Sequence, residues 1–342
     1  MPGANDISKL TYLYISYKSL SVYRGYKMNA NKFPILRFAI CLVFLALSSE
    51  PTSANPVYVN LMIDANFPTN LTQIDTDSAF GLILNLTNIL DDRGLNATIF
   101  VTPEMATNQS ILVTTLGMRA SHELAAKVTD QSLGGTPASE QEAYLKQVKA
   151  VMDSDHICVG PSANTVNTRG FMLPLSSQNE NVYKILDIMG AVYDARFDQG
   201  IQYQPGHDKD IWPYRIENHS LYAVPISSYL SNEVQILLSD RIMKDEMGMS
   251  GPKWHDILVS RLDQSVRDGV PMVVLFNSSI SGFGDYLDAY KEFIGYAASK
   301  NASFVSTLEL VNDTRARNPL DHVQPVMVKP DCPECDKMKS SN

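Results

Sequence analysis

The chain has 342 residues, 44% of them hydrophobic, and a formal net charge of −9. Residues 1–54 hold six Lys and Arg and two acidic residues, so the remainder carries 22 basic against 35 acidic residues, about −13. This acidic balance argues against nucleic acid and anionic lipid surfaces as partners. The length suits one large α/β domain or two small ones.

Residues 34–47 form the first distinctive segment, with a ten-residue apolar run that begins at Phe38. The run is short for a membrane span, basic residues precede it, and small residues follow it. This arrangement predicts a secretory signal that starts at Met28 and is cleaved near Ala54, so we assign residues 1–54 as a signal region. The alternative is an uncleaved anchor helix, which would be the only expected contact of the chain with a membrane.

The next predicted element, residues 57–64, is a buried strand that ends on Asp64. Its apolar, branched and aromatic composition is typical of a parallel sheet covered on both faces. In such folds the chemistry lies at the carboxyl ends of the strands. Asp64 is therefore a candidate catalytic residue.

Strand and helix patterns then alternate about seven times, which predicts one α/β barrel or doubly wound sheet over residues 55–311. Ser139 and Glu142 are predicted to form a capping box at the start of a strongly amphipathic helix. The other predicted strands span 97–101, 120–127, 156–160, 170–174, 191–197, 221–228, 271–277 and 302–308. The predicted helices span 75–90, 110–116, 139–152, 181–189, 252–267 and 285–299.

Residues 312–342 are predicted to be a polar C-terminal tail that contains Cys332-Pro-Glu-Cys335. This CxxC pair lacks both the strand–helix setting of a redox motif and the second cysteine pair of a zinc site. We therefore expect a small disulfide between Cys332 and Cys335.

Eight Asn-x-Ser/Thr sequons follow the signal region, a high density for this length. Together with the signal they predict a glycoprotein that is secreted or lies at the cell surface. The sequon at Asn277 ends an apolar strand, so that side chain is expected to be buried. The glycosylation candidates are Asn70, Asn85, Asn96, Asn108, Asn218, Asn301 and Asn312.

Four stretches of the chain resemble, in order, segments of one known family. Ser121-His122-Glu123-Leu124 resembles a GHEI/GHEL segment, and residues 95–101 resemble the strand before it. Residues 171–194 resemble an arginine-proline motif with its helix, and residues 222–227 a LIEIPVS strand. From about residue 57 to 310 the chain thus resembles the NodB-homology, or polysaccharide deacetylase, family. The resemblance implies an α/β fold, an irregular barrel of about seven parallel strands with outer helices.

Active members of that family are metal-dependent hydrolases that remove N-acetyl groups from amino sugars. Matched residue by residue, Asp64 takes the position of the catalytic base, but Ala65, Lys127 and Gln131 stand where the three metal ligands are. Alanine has no donor atom, an ammonium group cannot bind a cation, and glutamine is a poor ligand. Without the metal, no bound water is activated. We therefore expect no metal and no other cofactor in this chain.

The remaining motif positions are altered as well. Met172 stands where the resemblance implies an active-site arginine, two residues before Pro174, and Asn277 stands where it implies a late catalytic histidine. With Lys127 and Gln131 these residues are predicted to line a pocket around Asp64. The substitutions favour an exported, catalytically inactive protein that binds a cell-surface glycan or a protein. The alternative is an active carbohydrate deacetylase with a site rebuilt around Asp64.

Other candidate residues have a structural and a functional interpretation. His122 is interpreted as a buried hydrogen-bonding residue rather than a ligand. His207 with Asp208–Asp210 offers a possible substitute metal cluster, which no spacing supports. Trp212 and Tyr214 are interpreted as loop anchors, with a sugar-stacking face near the Asp64 pocket as the alternative.

Lys127 is also predicted to compensate for the missing metal. The family brings its base and its metal ligands together at one end of neighbouring strands. A carboxylate left unpaired in a partly enclosed cleft is costly, and a lysine has a stem long enough to reach it. We therefore predict an ion pair between Lys127 and Asp64.

Overall fold

The computed structural model describes residues 56–65, 73–117, 119, 122–153, 168–231 and 233–318. Several predictions concern residues outside these ranges and stay predictions: the signal region, the sequon at Asn70, the strand 156–160 and the pair Cys332 and Cys335.

A curled, mostly parallel sheet forms the centre of the fold. Its strands are β1 (Tyr58–Asp64), β2 (Ala97–Val101), β3 (His122–Lys127), β4 (Gly170–Met172), β5 (Tyr193–Asp198), β6 (Tyr214–Arg215), β7 (Tyr222–Ile226), β10 (Met272–Asn277) and β11 (Ser303–Val305), and a separate hairpin contains β8 (Ser228–Ser231) and β9 (Val234–Leu237). Seven strands are parallel in the order β10, β1, β2, β3, β4, β5, β7; β6 pairs antiparallel with β7, and β11 pairs with the first half of β1. The predicted irregular barrel of about seven parallel strands is confirmed.

The two ends of this curled sheet approach each other beside β7 and β10. The Ser227 N–H donates to the Val273 carbonyl at 3.0 Å, and the Val273 N–H donates to the Ser227 hydroxyl at 2.9 Å. A serine hydroxyl therefore takes the place of a backbone acceptor at the seam. We call the end where the strands begin the lower end, and the end where they finish the upper end.

Helices connect the strands. They are α1 (Gln73–Asp91), α2 (Pro103–Asn108), α3 (Ser110–Gly117), α4 (Ala138–Met152), α5 (Glu180–Ile188), α6 (Gly251–Asp268), α7 (Ser278–Ser281), α8 (Gly284–Ser299) and α9 (Thr307–Arg317). Within the described residues, no helix is long and apolar enough to cross a membrane.

Alternation along the strands separates the core into two layers. Leu61 and Ile63 pack with the buried residues of the outer helices, whereas Met62 between them packs inside the curl of the sheet. Leu310 and Val311 of α9 join this inner layer. The last described helix therefore fills the interior of the curl, whereas α4, α6 and α8 cover its outside.

The predicted capping box at Ser139 and Glu142 is wrong. Helix α4 begins one residue earlier, at Ala138 after Pro137, and no side chain caps it. Glu142 instead forms an exposed ion pair with Lys146, 2.6 Å away and four residues on. A proline before the helix already fixes the entry conformation, so the serine is not needed there.

The predicted strand 302–308 is too long. Strand β11 ends at Val305, and Ser306 then caps α9 in a reciprocal capping box with Glu309. Helix α9 runs on to Arg317, so the predicted boundary between the barrel and its tail at residue 312 falls inside a helix. Ser-x-x-Glu at 306–309 is the capping-box pattern, which could have identified this helix.

Buried hydrogen bonds hold the start of α9 against the lower end of the sheet. Glu123, the second residue of β3, accepts from the Leu308 N–H at 2.9 Å and from the Tyr193 hydroxyl at 2.7 Å. Thr98 accepts from the Thr307 N–H at 2.7 Å. Burial raises the pKa of Glu123. The glutamate of the GHEL-like segment is therefore a structural acceptor for the first amides of this helix.

The sequon asparagines outside the sheet lie at accessible positions. Asn277 is only 4% exposed, as expected for a residue at the end of a buried strand. Five others are exposed and Asn96 is half-buried; the exposed residues are Asn85, Asn108, Asn218, Asn301 and Asn312.

Two aspartates of the fold are completely buried. Asp194 in β5 accepts from the Leu173 N–H at 3.1 Å and from the Gln178 amide at 2.9 Å. Asp240 accepts from the Asn277 N–H at 2.8 Å and from the Ser281 hydroxyl at 2.6 Å. Burial raises the pKa of each carboxyl group to about 7.

Because the pKa values of these two carboxyl groups are raised, we expect the protein to lose stability as the pH rises from about 4 to about 7. In that range the folded chain holds protons on Asp194 and Asp240 that the unfolded chain has released, so rising pH favours unfolding. Urea unfolding at pH 5 and pH 8 measures the difference. Asp240→Asn should reduce it, because the amide has no proton to lose, whereas Asp288→Asn, at an exposed position, should not. If the difference in unfolding free energy between pH 5 and pH 8 were the same in Asp240→Asn and Asp288→Asn, this assignment would be contradicted.

Candidate functional site

Three of the predicted site residues lie at the upper end of the sheet, on β10, its neighbour β1, and β3, which is separated from β1 by β2. Asp64 ends β1, Lys127 ends β3, and Asn277 ends β10. Asp64 is directly in register with Asn277. Parallel strands finish at the same edge of a sheet, which is why residues far apart in the chain meet here.

Lys127 and Asp64 form the predicted ion pair. The Lys127 ammonium is 2.7 Å from one Asp64 carboxylate oxygen and 2.8 Å from the other. The side chains are 21% and 10% exposed, respectively. The pair is thus largely screened from water, and one ammonium bridges both oxygens of the base-position carboxylate.

Met172 lies beside this pair, on the neighbouring strand β4. Met172 is in register with Lys127, is 2% exposed and packs in the inner layer of the core. Pro174 is buried and precedes the short 3-10 turn Leu175–Ser177. The position where the resemblance implies an arginine therefore contributes packing and no charge.

Asn277 acts as a helix cap. Its side-chain oxygen accepts from the Ser279 N–H at 3.0 Å and from the Ser279 hydroxyl at 2.6 Å, at the start of α7. Its own N–H donates to Asp240. The amide oxygen is thus engaged by its own chain, at the position where the resemblance implies a catalytic histidine.

Asp240 is a site residue that the sequence analysis missed. It is fully buried, and its carboxylate is close enough to Asp64 for the charge of Asp64 to help raise its pKa, although burial is the larger cause. Asp240 follows the hairpin β8–β9, a segment without a clear strand or helix pattern. No motif or spacing pointed to it, because only the fold brings it beside β10.

The residues at the three metal-ligand positions do not fit a metal ion. Ala65 is fully buried and packs in the outer layer of the core, away from the inner face that carries Asp64. Gln131 is exposed, and its backbone oxygen accepts from the Ser176 hydroxyl at 2.6 Å. Across the described ranges, no group of three or more His, Cys, Asp or Glu side chains could hold a metal ion. No catalytic step through a metal follows from this donor set.

The other histidine candidates are occupied by structural contacts. Nε2 of His122 is 3.2 Å from an Asp91 oxygen, but neither ring nitrogen makes a hydrogen bond within the described residues, so the predicted hydrogen bonds are not formed there. Burial lowers the pKa of the imidazole. Because His122 begins β3, it lies at the lower end of the sheet, far from Lys127. Nδ1 of His207 is 2.5 Å from Asp210, and within the described residues no third His, Cys, Asp or Glu completes a metal-binding group with them.

Trp212 and Tyr214 do not lie near the Asp64 pocket, so the alternative of a stacking face there is wrong. Trp212 contacts Tyr58, the first residue of β1, edge to face at 6.1 Å between ring centroids. Tyr214 belongs to β6, which pairs with the start of β7. Both aromatic residues therefore lie at the lower end of the barrel. The antiparallel return of β6 moves them there, and the sequence alone did not reveal that short strand.

Comparisons with known proteins identify the fold of this chain. No family model matches the chain, and no curated protein matches its sequence. Among solved structures it is similar to a putative polysaccharide deacetylase from Mycobacterium smegmatis, with 18% identity, a TM-score of 0.58, and 78% of this chain and 93% of the other covered. It is similar to the PuuE allantoinase, with 12% identity, a TM-score of 0.58, and coverage of 77% and 91%.

A probable polysaccharide deacetylase from Pseudomonas aeruginosa PAO1 is similar to the same degree, with 12% identity, a TM-score of 0.58, and coverage of 77% and 92%. At such low sequence identities, the similarity supports a shared fold but gives no evidence about the reaction. Together with the curled parallel sheet, they show that this chain has the NodB-like fold of the polysaccharide deacetylases.

Proposed function

We propose that this protein is an exported, NodB-like protein that does not catalyse deacetylation and binds a glycan at the cell surface. One observation carries the proposal: the Lys127 ammonium contacts both oxygens of the Asp64 carboxylate. A general base must be within reach of the proton that it takes up, directly or through one water, and the Asp64 side chain is only 10% exposed. Here each oxygen accepts from a cation, and the adjacent ligand positions hold Ala65 and Gln131. A protein ligand is the alternative to a glycan.

An active enzyme with a rebuilt site is the second candidate. Asp240 favours it, because a carboxyl group whose pKa is raised by burial beside a second carboxylate is typical of acid–base sites. However, Asp240 is fully buried, and its oxygens accept from the Asn277 N–H and the Ser281 hydroxyl. A substrate would have to displace these contacts, so the inactive protein is the better-supported proposal.

The first expected result concerns activity. The purified protein should release no acetate from N-acetylated chito-oligosaccharides, with or without added zinc, cobalt or nickel, because no ligand set activates a water molecule. Acetate can be measured by an enzyme-coupled assay, with Asp64→Asn as the matched control. Metal-dependent turnover that disappears in Asp64→Asn would support the rebuilt site and contradict this proposal.

The second expected result concerns the ion pair. Because it is largely enclosed, Asp64→Asn or Lys127→Met should each lower the free energy of unfolding by up to about 3–5 kcal/mol. A double-mutant cycle with both changes should give a coupling energy above about 1 kcal/mol. The exposed pair Glu142 and Lys146 provides the control cycle, with an expected coupling of about 0.3–0.5 kcal/mol. Equal coupling in the two cycles would mean that Lys127 and Asp64 only share a cleft.

The third expected result concerns export. The mature chain should begin near residue 55 and should lose mass on treatment with an endoglycosidase, because the signal pattern and the sequons predict both. N-terminal sequencing and mass spectrometry of the protein from its native cells measure these two properties. An intact, unmodified chain that begins at Met1 would contradict export.

A further inference from the structure

A cleft of about 480 Å³ opens at the lower end of the barrel. It is lined by His207, residues 209–215, Val270 and Asn318, and we call it the lower cleft. Val270 lies just before β10, and Trp212 contacts Tyr58 at the start of β1. The lower cleft is thus at the opposite end of the sheet from Asp64. Its volume is in the range of small-molecule sites, about 300–1,000 Å³.

Stacked side chains fix the wall of the lower cleft. The His207 ring stacks on Tyr214 at 4.0 Å between ring centroids and an interplanar angle of 7°, and its Nδ1 is 2.5 Å from an Asp210 oxygen. The Arg317 guanidinium lies over the Trp212 indole at 4.4 Å. Side chains that are already fixed lose little conformational entropy when a ligand binds. This wall is therefore arranged for binding before any ligand arrives.

Two hydrogen-bond donors in the lower cleft have no partner among the described residues. Lys209 is exposed and has no ion pair with any residue that the structure describes. The Trp212 indole N–H likewise has no acceptor there. The one carboxylate of the lining, Asp210, is already engaged by His207. The lining thus carries two cationic side chains, Lys209 and Arg215, against one carboxylate, beside an aromatic wall and in a chain whose net charge is −9.

We propose that the lower cleft binds an acidic saccharide, a sugar that carries a carboxylate or a sulfate group. The inference rests on the proposed glycan-binding function and assigns it a site. The apolar C–H face of a sugar ring packs on an indole. Its hydroxyls pair with the Trp212 N–H and the Asn318 amide, and its anionic group pairs with the Lys209 ammonium. A neutral sugar would leave the Lys209 ammonium without an ionic partner. A long polyphosphate is less suitable as well, because the net negative charge of the chain repels it.

Tryptophan fluorescence provides a direct measurement. The chain contains two tryptophans, and Trp254 is fully buried, so a ligand that changes the emission does so through Trp212. The full-length protein is titrated with a heparin tetrasaccharide, a tetragalacturonate and the neutral chitotetraose, and calorimetry confirms the stoichiometry. The two acidic probes separate sulfate from carboxylate recognition. We expect at least one of them to bind saturably, at least about tenfold more tightly than chitotetraose.

Lys209→Ala should weaken binding of the acidic probe about tenfold, since it removes one charge-assisted contact. Lys253→Ala is the matched control: it removes the same charge at an exposed position near the start of α6, and it should leave the affinity unchanged. Equal effects of the two variants, or equal binding of acidic and neutral probes, would overturn the assignment.

The outcomes also separate this inference from the proposed function. If a glycan binds saturably, but Lys209→Ala does not weaken the binding and the Trp212 emission does not change, then the lower cleft is not the site. The proposed glycan-binding function would still stand. If none of the three saccharides binds, both the lower cleft and the glycan-binding function are wrong, and the protein ligand becomes the better candidate.

Discussion

The carboxylate of Asp64 imposes the main constraint on the upper end of the barrel. It ends a strand buried on both faces, its side chain is only 10% exposed, and a charge in such a place needs a partner. The resemblance to active deacetylases implies a metal ion at this point, and here the Lys127 ammonium bridges both oxygens instead. A lysine at position 127 both removes a ligand and supplies the missing charge.

The residues around the pair keep its charge balanced. An arginine at position 172 would place a second cation beside Lys127, whereas the methionine there is neutral and fills the inner layer. Asp240 would add a second negative charge, but burial raises its pKa to about 7, so much of it is neutral near that pH. Asn277 is neutral as well and caps α7. A single ion pair with neutral neighbours is the least costly arrangement for an enclosed cleft.

The fold and the centre of the site could be predicted from the sequence for two reasons. The apolar run 57–64 indicates a central strand, and the resemblance to the polysaccharide deacetylases puts Lys127 at a metal-ligand position beside Asp64, which led to the ion pair. Capping was harder to predict, because the same Ser-x-x-Glu pattern occurs at Ser139, where proline starts the helix, and at Ser306, where the box forms.

Features that depend on tertiary contacts could not be predicted. Asp240 is brought beside β10 by the segment that follows the hairpin, where Ser239 forms an isolated bridge with Leu275 of β10. Trp212 is brought to the lower end by the antiparallel strand β6, only two residues long, which no periodicity can reveal. In both cases the local sequence is polar or irregular, and the chain path is set by distant partners.

The two ends of the barrel differ in what they leave available to a ligand. At the upper end, the ion pair, the Asn277 cap and the buried Asp240 satisfy one another, so a ligand would have to break existing contacts. At the lower end, α9 seals the inner core with Leu310 and Val311, and its final turn brings Arg317 onto Trp212. The helix that stabilises the barrel therefore also fixes one wall of the lower cleft, where Lys209 stays unpaired among the described residues. The contacts at the upper end stabilise the barrel, whereas the lower cleft offers the surface to which we assign binding, so one fold can serve different purposes at its two ends.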